Sequence, residues 1–234
     1  MIDIENTEIF QINKYTIKQF NKSSMNITFI SDTHGMHDQL QNLVGEVIVH
    51  AGDVSGRGGL TEIEDFLNWF KKLDFKYRIF IAGNHDFYFE NAPASDVAQL
   101  IPEGVIYLND SGVSIEGIKF WGSPVQPEFY NWAFNRKRGV GIKKHWDLIP
   151  AHTDILITHG PPMNILDKTT TGLHVGCEEL QDAVLKIKPK IHVFGHIHEA
   201  YGWKEIQGIQ FINASVLNER YALVNAPIEH SVKS

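Results

Sequence analysis

Short apolar runs recur along the chain, and each one ends in a polar cluster. They cover residues 27–30, 47–50, 77–81, 155–157 and 191–194. Runs of three to five residues rich in β-branched side chains are typical of strands that are buried on both faces. The pattern therefore predicts several buried strands whose carboxyl ends all carry polar side chains.

Helical periodicity lies between these runs. Residues 60–73 carry apolar side chains on one face, with Thr61 as the predicted N-cap, and residues 178–188 repeat the pattern. The predicted buried faces consist of Ile63, Phe66, Leu67 and Phe70, and of Leu180, Val184 and Ile187. Alternating strands and helices indicate an α/β fold. Residues 105–121 and 202–225 read as strands joined by turns, so the sheet is predicted to be mixed.

Composition places limits on the organisation and the partners of the protein. The chain has 234 residues and shows no linker or repeat, so we predict a single domain over 1–234, with residues 1–24 as an N-terminal strand or hairpin extension. The single cysteine, Cys177, excludes an intrachain disulfide, and no signal-peptide pattern or long apolar run is present. A cytoplasmic location without a membrane partner is expected. The net charge of −7 disfavours long nucleic acid as a partner.

The polar clusters contain the residue types of a metal site: Asp32, His34, Asp53, Asn84, His85, His159, His196 and His198. The carboxyl ends of parallel strands meet at one edge of a sheet, so these side chains should converge. Two pairs are spaced i, i+2, which in an extended segment points both side chains the same way.

The number and type of these donors favour two metal ions. Leaving His85 aside, seven donors exceed the four that one tetrahedral zinc takes, so two ions sharing a carboxylate are expected. Nitrogen and oxygen donors without thiolate suit Mn, Fe, Zn or Co better than Ca or Mg. Two such ions are a known arrangement for phosphoester hydrolysis by a metal-bound hydroxide.

The same motifs carry a family resemblance. Asp-Thr-His-Gly, Gly-Asp, Gly-Asn-His-Asp, Thr-His-Gly and Gly-His-Ile-His, in this order over residues 29–198, resemble the calcineurin-like metallophosphoesterase superfamily. Segments 122–135, 157–162, 192–199 and 211–215 are similar to the metallophosphoesterase-domain-containing group of phosphodiesterases. The resemblance implies a four-layer α/β/β/α sandwich of two mixed sheets flanked by helices.

The resemblance also implies roles for individual residues. Asp32, His34 and His198 would hold one metal, Asn84, His159 and His196 the other, and Asp53 would bridge them. Asn84 and His85 would contact the substrate phosphate. His85 would also protonate the leaving group, with Asp86 orienting it.

Two further features each allow two interpretations. Arg57 resembles the phosphate-binding arginine of the protein Ser/Thr phosphatases, but a solvated loop arginine is equally consistent with its position. The aromatic-rich stretch 121–138 would either line the substrate pocket or pack on its own rings.

The function predicted is a dinuclear phosphodiesterase that acts on small phosphodiesters such as cyclic nucleotides. One alternative is a phosphomonoesterase or protein phosphatase, which Ala82 disfavours because protein phosphatases carry an arginine immediately before Gly-Asn-His. The other is a metal-binding scaffold without catalysis, which the complete set of ligand positions disfavours. A monomer and a homodimer both remain open.

Overall fold

A computed structural model describes residues 24–233, which form two large β-sheets. The strands of the first sheet are β1 (Ser24–Ile30), β2 (Val47–Ala51), β3 (Tyr77–Ile81), β4 (Val105–Tyr107) and β13 (Ile228–Lys233). The strands of the second sheet are β5 (Ser111–Ile115), β6 (Ile118–Ser123), β9 (Ile155–Thr158), β10 (Ile191–Phe194), β11 (Gly202–Ile206) and β12 (Ile209–Asn213). Strands β7 (Gln126–Pro127) and β8 (Asn135–Arg136) pair separately, at the base of the loop between them. The N-terminal strand or hairpin predicted over residues 1–24 lies outside the described residues, except for Ser24, which begins β1.

Both sheets are mixed, as predicted. Strands β1, β2, β3 and β4 run parallel, with β13 antiparallel at the β1 edge. In the second sheet β12, β10, β9 and β6 run parallel, and β11 and β5 are antiparallel edge strands. The carboxyl ends of β1, β2 and β3 therefore lie together, as do those of β9 and β10.

Helices cover the outer faces of the two sheets. They are α1 (Leu60–Phe70), α2 (Phe87–Asn91), α3 (Ala94–Leu100), α4 (Val140–Trp146) and α5 (Glu178–Ile187). Helices α1 and α3 pack on the first sheet, and α4 and α5 pack on the second. None of the helices within residues 24–233 combines the length and the apolarity needed to cross a membrane.

Strand periodicity distributes the apolar side chains among three cores. Val49 and Ile157 point between the sheets, whereas Ile48 and Leu156, one residue earlier, point toward the helices. A strand with a covered face on each side needs apolar residues at every position, which explains the unbroken apolar runs. The four layers of the predicted α/β/β/α sandwich are confirmed.

Two local predictions were wrong, and one strand was missed. Thr61 lies inside α1, and the N-cap is Gly59, whose N–H donates to the Glu62 carboxylate at 3.2 Å. The chain leaves the sheet after β12 instead of continuing as strands to residue 225. Strand β13 was missed because its exposed edge position leaves it largely polar in sequence.

Candidate metal centre

The loops that follow β1 and β2 run side by side at the carboxyl edge of the first sheet. The backbone N–H of Asp32 donates to Gly52 O at 2.9 Å, and that of His34 donates to Asp53 O at 3.1 Å. Asp32, His34, Asp53 and His196 all have positive φ, between 43° and 70°. The extended geometry assumed for the i, i+2 pairs is therefore wrong. Left-handed turns, which Asp and His tolerate better than most residues, direct these side chains into the site.

The first group of donors joins the two sheets. Asp32, His34 and His198 each offer a ligand atom, and these atoms lie within 4.8 Å of one another. His198 Nε2 is 3.4 Å from Asp32 Oδ1 and 3.4 Å from His34 Nε2. Ser215 Oγ donates to Asp32 Oδ2 at 2.7 Å, and the backbone N–H of His196 also donates to this carboxylate, at 3.0 Å. The carboxylate is thus held by groups from the second sheet and its loops.

The second group lies beside the first. Asp53, His159 and His196 have ligand atoms within 4.8 Å of one another, and Asn84 Oδ1 is 2.9 Å from His159 Nε2. Asp53 Oδ2 lies 3.4 Å from His159 Nε2 and 3.6 Å from His34 Nε2. The Asp53 carboxylate therefore stands between the two groups of donors.

Two glycines allow the backbone to pass close to these carboxylates. A Cβ on Gly83 would meet Asp53 Oδ1 and would come within 2.7 Å of the His159 ring. A Cβ on Gly195 would meet the Asp32 carboxylate and the side chain of Ser31. Glycine is thus required at both positions for the candidate ligands to occupy the places they do.

His85 sits at the edge of the first group. A ring nitrogen of His85 lies within 4.8 Å of ligand atoms of His34 and Asp53. Its Nδ1 donates to Gly56 O at 2.7 Å, and its ring stacks on Trp132 at a centroid distance of 4.2 Å. The carbonyl and the indole together fix the orientation of the imidazole.

Asp86 does not make the orienting contact to His85 that was predicted. Its buried carboxylate accepts the N–H groups of Gly83 and Val54 at Oδ2, at 2.8 and 3.1 Å. Oδ1 accepts the N–H and the hydroxyl of Ser55, at 3.0 and 2.6 Å. Asp86 therefore ties the loop after β2 to the loop after β3, and acts on Asp53 and His85 through the backbone.

The electrostatics follow from the packing of buried acids against imidazoles. Burial opposes ionisation of Asp32, but the hydrogen bond and charge of His198 hold the pKa of Asp32 well below its usual value. Burial also opposes charge on His159 and His198, yet the adjacent carboxylates raise the pKa of each to about 9. Burial lowers the pKa of His196 to about 3 and also lowers the pKa of His34. In the metal-free protein, two carboxylates thus face two imidazolium ions.

Comparisons with known proteins identify the family. The profile of calcineurin-like phosphoesterases matches residues 25–200. Human Metallophosphoesterase domain-containing protein 1 is 40% identical over an alignment of 222 positions that covers 85% of this chain and 68% of the human protein. The chain belongs to the calcineurin-like phosphoesterase family. It is therefore a member of a family of metal-dependent phosphoester hydrolases.

Solved structures support the same fold. One has a TM-score of 0.59 at 14% identity and covers 82% of this chain and 90% of its own. GAP50, the anchor in the inner membrane complex of Plasmodium, has a TM-score of 0.50 at 10% identity, with 91% of this chain and 82% of that chain covered. At these identities the likeness concerns the fold alone.

The donors of this phosphoesterase fit divalent metal ions. His159 Nδ1 donates to Ala51 O and His198 Nδ1 to Asn218 O, each at 3.0 Å, so each Nε2 faces the site. Such a backbone partner is typical of metal-binding histidines. The separations of 3.4 to 3.6 Å between neighbouring donors match those around an ion bound at about 2.0–2.2 Å. Imidazole and carboxylate donors without thiolate suit Mn, Fe or Zn.

The remaining predicted residues differ in their relation to the site. Arg57 is exposed, and within residues 24–233 its guanidinium makes no hydrogen bond or ion pair. The stretch 121–138 does reach the site, since Trp132 stacks on His85 and Phe129 lies 5.2 Å from the His196 ring. Its wealth of aromatic residues was the signal for this contact.

Three contributors were missed by sequence reasoning. Ser215 and Asn218 support Asp32 and His198, and the half-exposed Tyr221 lies with its ring centroid 4.9 Å from that of His34. All three follow β12; Ser215 ends segment 211–215, which carried the family resemblance without a role for this residue, and Asn218 and Tyr221 lie in no recognised motif. Only the packing of the two sheets brings them to the centre.

Proposed function

We propose that this protein is a dinuclear metal-dependent phosphodiesterase that acts on small phosphodiesters such as cyclic nucleotides. The observation that carries the proposal is the position of Asp53, whose Oδ2 lies within 3.6 Å of a histidine nitrogen from each group of donors. A carboxylate placed in this way suits a ligand shared by two ions. The single buried Cys177 favours a cytoplasmic setting.

Each group of donors would hold one ion. Asp32, His34 and His198 would hold the first, Asn84, His159 and His196 the second, and Asp53 would contact both. Bound divalent ions would lower the pKa of a water molecule and neutralise charge on the phosphate oxygens.

His85 is the proposed proton donor. Its Nδ1 is occupied by Gly56 O, which leaves Nε2 to face the departing oxygen, and Trp132 restricts rotation of the ring. In the reaction a water oxygen forms a bond to phosphorus and the ester P–O bond breaks. The leaving oxygen takes the His85 proton, and the proton of the water is released to solvent. An alkoxide is a poor leaving group, so this proton transfer should contribute strongly to the rate.

Among residues 24–233, no lysine or arginine pairs with the candidate carboxylate ligands, which supports a diester over a monoester. A phosphomonoester carries about −1.5 to −2 charges at neutral pH, whereas a diester carries one. Arg57 is exposed, and Ala82 stands where an arginine would add charge. The guanidinium of Arg138 is bound to the carbonyls of Val175 and Gly176.

The test is a pair of steady-state assays on metal-stripped protein after addition of Mn²⁺. Bis(4-nitrophenyl) phosphate and 4-nitrophenyl phosphate would be compared, with bound metal counted by mass spectrometry. We expect two ions per chain and a preference for the diester. Asp53→Ala should lose both the metal and the turnover, whereas the exposed Asp74→Ala should keep both.

Other outcomes would contradict the proposal in different ways. A preference for the monoester would indicate a phosphatase. Folded, metal-loaded protein that turns over neither ester would indicate a binding scaffold. One ion per chain with full activity would refute the dinuclear mechanism.

A further inference from the structure

A cavity of about 300 Å³ opens beside the candidate metal centre, and His196 forms part of its wall. Phe129 also lines the cavity, and its ring meets the His196 ring edge to face at 5.2 Å between centroids. Pro127, Pro161, Val175 and Ile197 add further apolar side chains to the lining. A group held here would therefore be attached to, or adjacent to, whatever occupies the metal centre.

The chemistry of the wall favours an uncharged, apolar occupant. Arg138 also borders the cavity, but its NH1 donates to Gly176 O at 2.8 Å and its NH2 to Val175 O at 3.0 Å, and it pairs with Glu178. The positive charge of Arg138 is thus compensated by Glu178 and by the two carbonyl groups. The cavity is also bordered by Gly160, Thr169 and the exposed Glu128, whose carboxylate disfavours an anionic occupant, and the other lining side chains are apolar apart from His196. The volume lies at the lower end of ligand pockets, about 300–1,000 Å³, which suits one aromatic ring or heterocycle.

The position of the proton donor decides which part of a diester would enter. His85 stacks on Trp132, and neither residue lines the cavity. A departing oxygen must face its proton donor, so the leaving group points toward His85. Of the three substituents that stay on phosphorus, the retained ester group would then be free to lie toward His196 and the cavity.

We propose that this cavity binds the retained ester group of the diester substrate and selects an aromatic or heteroaromatic group there. The inference rests on the phosphodiesterase function proposed above. It predicts a specificity that does not depend on the leaving group.

Two diesters that share the 4-nitrophenol leaving group isolate this effect: phenyl 4-nitrophenyl phosphate and methyl 4-nitrophenyl phosphate. The ratio of their kcat/KM values would be measured for the Mn²⁺-loaded protein and its variants and compared with the ratio of the uncatalysed hydrolysis rates, which removes the difference in intrinsic reactivity. Val175 is half-buried in the cavity wall, so the larger side chain of Val175→Phe should occupy part of the cavity. Val44→Phe makes the same change at a 54% exposed residue near the opposite edge of the first sheet.

In the wild-type protein, the phenyl-to-methyl ratio of kcat/KM should exceed the ratio of the uncatalysed reactions by about tenfold or more, because burial of an aromatic ring stabilises binding by at least about 1.4 kcal/mol. Val175→Phe should bring the ratio close to that of the uncatalysed reactions, and Val44→Phe should keep the wild-type ratio. Val175→Leu, a smaller change, should give an intermediate ratio and serves if Val175→Phe does not fold. A wild-type ratio equal to the uncatalysed one, or a ratio unchanged in folded Val175→Phe, would overturn the inference while leaving the phosphodiesterase proposal in place.

If the wild-type protein hydrolyses neither diester, the proposed function fails and binding decides the question of the cavity. Phenylphosphonate and methylphosphonate would then be titrated into the Mn²⁺-loaded protein by calorimetry. Tighter binding of phenylphosphonate that is lost in Val175→Phe would support the cavity as an aromatic site. Equal binding of the two phosphonates would overturn it.

Discussion

Asp86→Asn tests whether the Asp86 carboxylate holds the centre together through the backbone. The substitution keeps the shape of the side chain but replaces one oxygen, which only accepts, by an NH₂ group, which only donates. Both oxygens currently accept two hydrogen bonds each, from Gly83 and Val54 at Oδ2 and from Ser55 at Oδ1. Either orientation of the amide therefore turns a donor toward two existing donors.

The cheaper orientation places the NH₂ group toward Ser55, whose hydroxyl can rotate to accept. One buried backbone N–H then loses its partner, at about 1–3 kcal/mol, and the bonds from Gly83 and Val54 each lose about 1 kcal/mol of charge assistance. Removing the buried negative charge offsets part of this loss of stability, because the ionised form of Asp86 is itself destabilised by burial. Burial, with Asp53 adding to it, raises the pKa of Asp86 to about 6, so the carboxylate is strained as an anion. The expected net loss is about 2–3 kcal/mol.

The assay is urea unfolding of metal-stripped protein at pH 8, where the carboxylate is ionised, followed by tryptophan fluorescence. The exposed Asp74→Asn is the matched control and should change stability by less than about 0.5 kcal/mol. Hydrogen exchange should show lost protection at the amides of Ser55 and Gly83. If Asp86→Asn is as stable as the control and these amides stay protected, the carboxylate does not tie the two loops. Lost activity at unchanged stability would instead support the orienting role for His85.

Three further predictions follow from the site. Gly83→Ala should abolish metal-dependent activity because its Cβ would meet the Asp53 carboxylate, whereas Gly59→Ala, whose Cβ has no neighbour nearer than 3.8 Å, should remain active; equal activities would contradict this. Ser215→Ala removes a 2.7 Å hydrogen bond to a candidate ligand and should weaken Mn²⁺ affinity by about 10–100-fold in a competition titration, and unchanged affinity would refute a supporting role. In metal-free protein, burial opposes charge on His159 but the adjacent carboxylate raises its pKa to about 9, above the unfolded value of about 6.5. Its stabilising contribution is therefore complete below about pH 6.5 and is lost as the pH rises through 9, so the free energy of unfolding should fall over this range in the wild type and less so in His159→Gln.

The fold was largely predictable because its signals are local. A strand covered on both faces needs apolar residues at successive positions, and the runs before Asp32 and Asp53 show this directly. A helix that packs on a sheet needs one apolar stripe, and the predicted face of α1, with Phe66 and Phe70, is buried. Strand β13 was not predicted, because an exposed edge strand does not need an apolar sequence.

The residue types of the candidate centre were also determined by the sequence, since each polar cluster follows a strand. The conformation of these clusters was not. Asp32 and His196 adopt left-handed turns after their strands, and a periodicity that assumes extended backbone cannot reveal them.

The contacts that define the centre depend on the tertiary structure alone. His34 and His198 are separated by 164 positions in the chain and meet only because the two sheets pack face to face. The same packing assigns Gly56 O and Trp132 to His85, and it gives Asp86 a backbone role in place of the expected side-chain contact. Sequence patterns report which face of an element is buried. They do not report which partner from a distant element arrives there, because that partner is selected by the packing of whole sheets.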